Sequence, residues 1–329
     1  MPEIPTTAPL PGQDHFVAPL GETPLEATGT LDTSRPPESQ WKEAWKNLRR
    51  NVLFWVSAII LGFVLVVVAF PGLFTDLNPL KADLSRSLEG PSSGHIAGFD
   101  KQGYDVFART IYGARASVSV GVACTLVVTI LGLISGALAG FYGGWVDTIV
   151  SRIADIFFAI PLLLGAIVGL SVLNNAWPDR GFGGGVVAVT FALAAFGWPQ
   201  VTRIARSAVL EVKNLEFVDA ARAIGASQAR NLWRHVVPNA LAPVIVIATV
   251  SLGIFIVAEA TLSFLGIGLP YGVVSWGNDI SAAQNQIRSG QRLGVLFWPA
   301  SALAVTVLGF ILLGDAVQDA LDPKSRKKD

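Results

Sequence analysis

The chain alternates long apolar runs with polar ones, and the runs have the length of membrane crossings. Residues 52–70 carry no charge and end at Pro71-Gly72. About twenty such residues in a helix span the roughly 30 Å hydrocarbon core of a bilayer, so a first transmembrane helix is expected there. Further apolar runs at 116–141, 154–173, 185–201, 240–265 and 293–313 predict five more. In the second, Gly132, Gly136 and Gly140 recur every four residues and so share one helical face, where bare backbone admits a neighbouring helix at close range. Pro161 falls inside the third and predicts a kink with a freed carbonyl. Such a kink borders a translocation path or serves packing alone, and both readings stand.

The polar stretches fix the expected topology. Residues 1–40 are rich in Pro, Thr and Glu with few large apolar side chains, which predicts a disordered tail. No apolar core with a small-residue cleavage site appears early, so no removable signal peptide is expected. Residues 41–51 place Trp41, Trp45 and Leu48 on one helical face beside Lys42, Lys46, Arg49 and Arg50. They read as an interfacial helix on the cytoplasmic leaflet, or simply as the charged flank of the first span. Positive flanks face the cytoplasm, so the N-terminus is expected inside. Residues 71–115, whose charges largely cancel, then form an external loop. Residues 202–239 hold Arg203, Arg206, Lys213, Arg222, Arg230 and Arg234, more basic residues than any other loop, and the count of crossings puts them inside. The tail 319–329, with Lys324, Arg326, Lys327 and Lys328, is expected inside as well.

Composition agrees with an all-α integral membrane protein: 52% of residues are hydrophobic and 15% charged. The formal net charge of zero points to no nucleic-acid partner. A single cysteine, Cys124, excludes an internal disulfide, and His15, His95 and His235 show no zinc-type spacing, so no metal site is expected. Glu259 lies inside the fifth span. An ionisable group there is a functional candidate by default, set against a structural carboxylate hydrogen-bonded near the external end.

The most specific stretch runs from Glu216 to Pro238. Residues 217–226 suit a short helix with alanines along one side, a bare face that another protein surface can approach closely. Asp219 sits in its first turn, and Gly225 can end it in a left-handed turn. Pro238 then closes the loop, with Asn239 placed to cap the next helix. The order Asp219-Ala220-Ala221, three residues, Gly225, nine residues, His-Val-Val-Pro238 resembles the coupling loop of bacterial ABC-importer permeases. Gly98 to Arg115 and Leu312 to Pro323 resemble the dipeptide and oligopeptide branch of that family, in the same order.

The resemblance implies a six-helix, type I importer permease of the bacterial plasma membrane. It pairs with a second homologous permease, two cytoplasmic ATPase subunits and an external solute-binding protein. It also implies that Asp219, Ala220, Ala221, Gly225 and Pro238 belong to the ATPase-coupling region. The family usually has Glu at position 219, so the shorter Asp219 keeps the charge with less reach. Dipeptides or oligopeptides are the implied cargo, moved by alternating access. No Gly-rich phosphate loop ending in Lys-Ser/Thr occurs, since Lys324-Ser325 lacks the upstream glycines. ATP and Mg are therefore expected in the partners, and this chain is expected to bind no cofactor and to be no enzyme itself. The alternative from a different class is a proton-coupled secondary transporter that titrates Glu259.

Overall fold

Asn51 opens the first crossing: its side chain accepts a hydrogen bond from the Leu53 amide, and α2 then runs Val52–Ala69 to the Pro71-Gly72 turn. A short helix, α1 (Gln40–Leu48), precedes it. The computed structural model describes residues 40–178, 180–288 and 293–321, and among these the regular elements are helical. The tail expected over residues 1–40 lies outside the described residues apart from Gln40, as does the basic end from Asp322 onward.

The second crossing is longer than its apolar run. α3 (Val106–Tyr142) starts ten residues before the expected boundary at Ala116, with Asp105 as its cap accepting from the Ala108 amide at 2.7 Å. Polarity at Arg109 and Arg115 hid this extension, yet both find partners. Arg109 pairs with Asp279 at 2.6 Å, and Arg115 donates to the carbonyls of Val68 and Ala69 that α2 leaves free at its end. α6 (Phe182–Val212) likewise runs past the expected end at Val201, because Arg203 and Arg206 pair with Asp155 and Asp147. Hydropathy marks the part of a helix that sits in lipid and not the helix itself. Asp155, three residues from Arg152 on its own helix, pairs with Arg203 of α6.

The third crossing is a correction. In place of one kinked helix over 154–173, two helices, α4 (Gly144–Phe158) and α5 (Leu162–Ala176), meet at 84°. Pro161 is not inside a helix. Its ψ of 128° is extended and it stands just before α5, since its ring removes a donor and pushes Ile160 out of the helical region.

Gly132, Gly136 and Gly140 are where α3 crosses α6: a Cβ at each would come within 2.5, 2.4 and 2.8 Å of Val201, Thr202 and Arg206 atoms. After α6 comes α7 (Glu216–Ala223), then α8 (Gln228–Asn231), a π turn at Leu232–Val236, and α9 (Val237–Phe264). α8 through α9 form one continuous apolar helix. α10 (Trp276–Arg288) occupies the polar segment beyond it, and α11 (Gly294–Leu321) crosses back against α2, where Gly309 meets Ile60 and Leu61. Among the described residues five helices are long and apolar enough to cross a membrane, and the bent α4–α5 pair makes a sixth crossing if it is one span. The core lies between α3, α5, α6 and α9, around Val120, Leu170, Leu193 and Leu262.

Candidate functional site

α7 rests on a small apolar platform where α3 and α6 end. Val218 and Ala221 face inward and are buried; Val218 joins a cluster with Phe141, Val209, Leu232 and Val236. The outward positions are Phe217, Asp219, Ala220 and Ile224, and Ile224 is 88% exposed. Glu216 and Asp219 lie in the first turn, where carboxylates favour the positive end of the helix dipole. At the other end Gly225 takes φ +89°, and the amides of Gly225 and Ala226 donate to the carbonyls of Arg222 and Ala221. Those two bonds and the left-handed glycine form a Schellman cap. Nothing lies within 4 Å of a Cβ built at Gly225, so its conformation, not space, demands glycine there.

Two features hold this helix at a fixed angle. Asn231, fully buried, donates from Nδ2 to the Val218 carbonyl at 3.2 Å and so fastens α7 to α8. Nothing in the sequence marks Asn231, a lone amide in a polar stretch. Arg222 lies over the Phe141 ring at 5.8 Å and bonds Asp219 at 3.1 Å. Pro238 does not close a loop ahead of a helix. It is half-buried in the first turn of α9, after the π turn in which the Val237 amide reaches back to Leu232. The wider turn accommodates the missing proline N–H. Asn239 bonds the His235 carbonyl at 2.6 Å and is not an N-cap. Of the five residues carried from the resemblance, Asp219, Ala220 and Gly225 are exposed together, whereas Ala221 and Pro238 lie in the support beneath.

Glu259 sits elsewhere. It is fully buried on α9; Oε1 accepts from Ser263 Oγ of the same helix at 2.7 Å, and the hydroxyls of Ser117 on α3 and Ser275 ahead of α10 lie near the carboxyl, whose Oε2 has no hydrogen-bond partner among the described residues. The adjoining Trp276 donates from Nε1 to the Thr110 carbonyl at 2.8 Å and from its amide to Ser117. Gly277 lets the start of α10 lie on α9, since a Cβ there would meet Ala260 at 2.7 Å. Beyond this, Arg109 stacks on Tyr104 and pairs with Asp279. Burial pushes the Asp279 carboxyl up to about 6 against the pull of Arg109.

Residues 129–327 match the family profile described as the binding-protein-dependent transport system inner membrane component. The chain belongs to this permease family. Residues 39–91 of the permease match the N-terminal transmembrane domain of oligopeptide transport permease C. It is 36% identical to the dipeptide transport system permease protein of Alkalihalophilus pseudofirmus, over 89% of this chain and 95% of that one. Its identity to the oligopeptide transport system permease protein of Bacillus subtilis is also 36%, over 89% and 93%. The glutathione transport system permease protein of Pectobacterium atrosepticum is 36% identical over 91% and 96%. In fold the permease is similar to the MetNI methionine ABC transporter in an inward-facing conformation, with a TM-score of 0.52 at 19% identity over 65% of this chain and 96% of that one. It is thus a type I ABC-importer permease, a multi-pass protein of the bacterial plasma membrane.

Proposed function

We propose that the permease forms one half of the membrane path of an ATP-driven importer of dipeptides or oligopeptides. The observation that carries this is α7: a short helix with an alanine- and isoleucine-bearing face free and its opposite face fixed to the ends of α3 and α6. A push on such a helix is delivered to two crossings at once, because interdigitated cores move as units rather than deform. In this reading two cytoplasmic ATPase subunits, which hold ATP and Mg, dock on Asp219, Ala220, Ile224 and Gly225. Their closure rocks this chain and a second homologous permease between outward and inward openings. An external solute-binding protein delivers the cargo, and the two termini of the chain are cytoplasmic. The names of the dipeptide and oligopeptide relatives support the cargo class.

Glu259 acts in this reading as a strut. A carboxyl closed in near Ser117, Ser263 and Ser275 fills the place where α9 meets α3 and the segment ahead of α10, and needs no proton movement to do so. The test is co-purification of the tagged chain from its native membrane in mild detergent, followed by ATP-dependent uptake of labelled dialanine in proteoliposomes. Recovery of two ATPase subunits and a second permease, with uptake that requires ATP, is the expected result. Recovery of the chain without an ATPase would overturn the proposal.

A further inference from the structure

A cleft of about 250 Å³ opens beside the α4–α5 break, with Phe158, Pro161, Phe196, Gln200, Ser251 and Ile254 in its wall. Ser251 lies near the middle of α9, and Gln200 stands next to Val201, where the apolar run of α6 ends. Three observations give it a chemical character. First, α5 is a helix of 15 residues that begins at this cleft with no side-chain cap, and its N-cap residue is a proline. The amides of Leu162, Leu163 and Leu164 have no helical carbonyl to bond, and about half a positive charge gathers at such an end. Second, Ser251 is only 6% exposed, lines the cleft, and bonds to no group among the described residues. Its neighbours Thr249 and Thr261 on the same helix each return their hydroxyl to the carbonyl four residues earlier. Third, the Gln200 carboxamide is exposed and also bonds to no described residue. Apolar rings and branches make up the rest of the wall.

Unsatisfied amides, a free hydroxyl and a free carboxamide are not tolerated against hydrocarbon; at membrane depth such groups belong on a watery path or against protein. Of that first turn Leu162 lines the cleft; its amide and the Ser251 hydroxyl are donors, and the helix end attracts negative charge. We propose that this cleft is a substrate subsite that receives the carboxylate end of the imported solute. It would be held by the amides opening α5, by Ser251 Oγ and by the Gln200 carboxamide. The proposal rests on the importer reading above and adds to it the residues and the charge of the path. The volume is below the roughly 300–1,000 Å³ of a complete small-molecule site, so one chain takes one end of the cargo.

The test uses the full importer complex in proteoliposomes, in a Cys124→Ala background that removes the lone, buried thiol. Ser251→Cys, a near-isosteric change, is treated with a sulfonate-bearing or a trimethylammonium-bearing methanethiosulfonate, and Val168→Cys, exposed on α5 and not in the cleft wall, serves as the control. Both reagents are expected to label the Ser251→Cys variant, the anionic one about three- to tenfold faster after correction for its rate with a free thiol. Adding Gln200→Asp is expected to abolish or reverse that preference, and Val168→Cys is expected to show none. Absence of labelling at the Ser251→Cys variant, or a faster cationic reagent, would overturn the subsite. Dialanine uptake by the wild-type complex is scored separately. Its failure would sink the peptide-import reading while the labelling pattern still judges the cleft.

Discussion

The left-handed turn after α7 separates two roles that a single substitution would confuse. Gly225 has φ +89° and open space around it, so Gly225→Ala meets no clash and costs only the backbone penalty, about 1–2 kcal/mol. α7 is 8 residues long with no side-chain N-cap, so the Schellman bonds are a large part of what holds it. A loss of that size multiplies the population of the opened end by about 5–30. Amide hydrogen exchange on the detergent-solubilised complex reads this directly. The amides of Ile224, Gly225 and Ala226 should exchange faster by that factor in Gly225→Ala, and at close to the wild-type rate in Gly225→Asn, because Asn tolerates the left-handed region. Ala220→Asp, at an exposed position, should leave exchange unchanged and yet weaken recovery of the ATPase subunits. Wild-type exchange in Gly225→Ala would show that the cap does not hold the helix. Full ATPase recovery with Ala220→Asp would refute the docking face.

Three further outcomes are expected. Asp279 titrates at about 6 folded and near 3.9 unfolded, so the folded chain holds an extra proton between those values and stability falls as pH rises from about 4 to about 6, then levels off. Burial raises Asp100 as well and adds in the same direction. Thermal melts across pH 4–8 should show a shallower slope in Asp279→Asn, and an identical slope would remove Asp279 from the account. Gly136→Ala drives a methyl to 2.4 Å from the Thr202 carbonyl and should destabilise by about 1–3 kcal/mol, seen as a lower melting temperature, whereas Gly183→Ala, with nothing within 4 Å, should not. Glu259→Gln keeps an acceptor for Ser263 and should retain ATP-driven uptake with no response to a pH gradient. Glu259→Leu should lose about 1–3 kcal/mol by stranding the facing hydroxyls, and gradient-driven uptake abolished by Gln would revive the proton-coupled reading.

What the sequence determined by itself is local. Uncharged runs locate the hydrocarbon spans because lipid accepts little else. A four-residue glycine spacing defines a close-approach face because the helix repeat puts those residues together. Gly225 ends α7 because glycine, lacking a Cβ, enters the left-handed turn without strain. Tertiary structure decided what depends on partners far along the chain. α3 continues through Arg109 because Asp279, 170 residues away, meets it, and α6 continues through Arg206 because Asp147 does. Pro161 announced a disturbance, but the 84° angle was set by how α4 and α5 lie on α6. Ala220 and Ala221 look alike in sequence, and only the cluster around Val218 turns one outward and the other in. Glu259 gained its meaning from Ser117 and Ser275, on other elements. Hydropathy and propensity are properties of a residue and its near neighbours, whereas a buried charge is tolerated only where the fold brings it a partner.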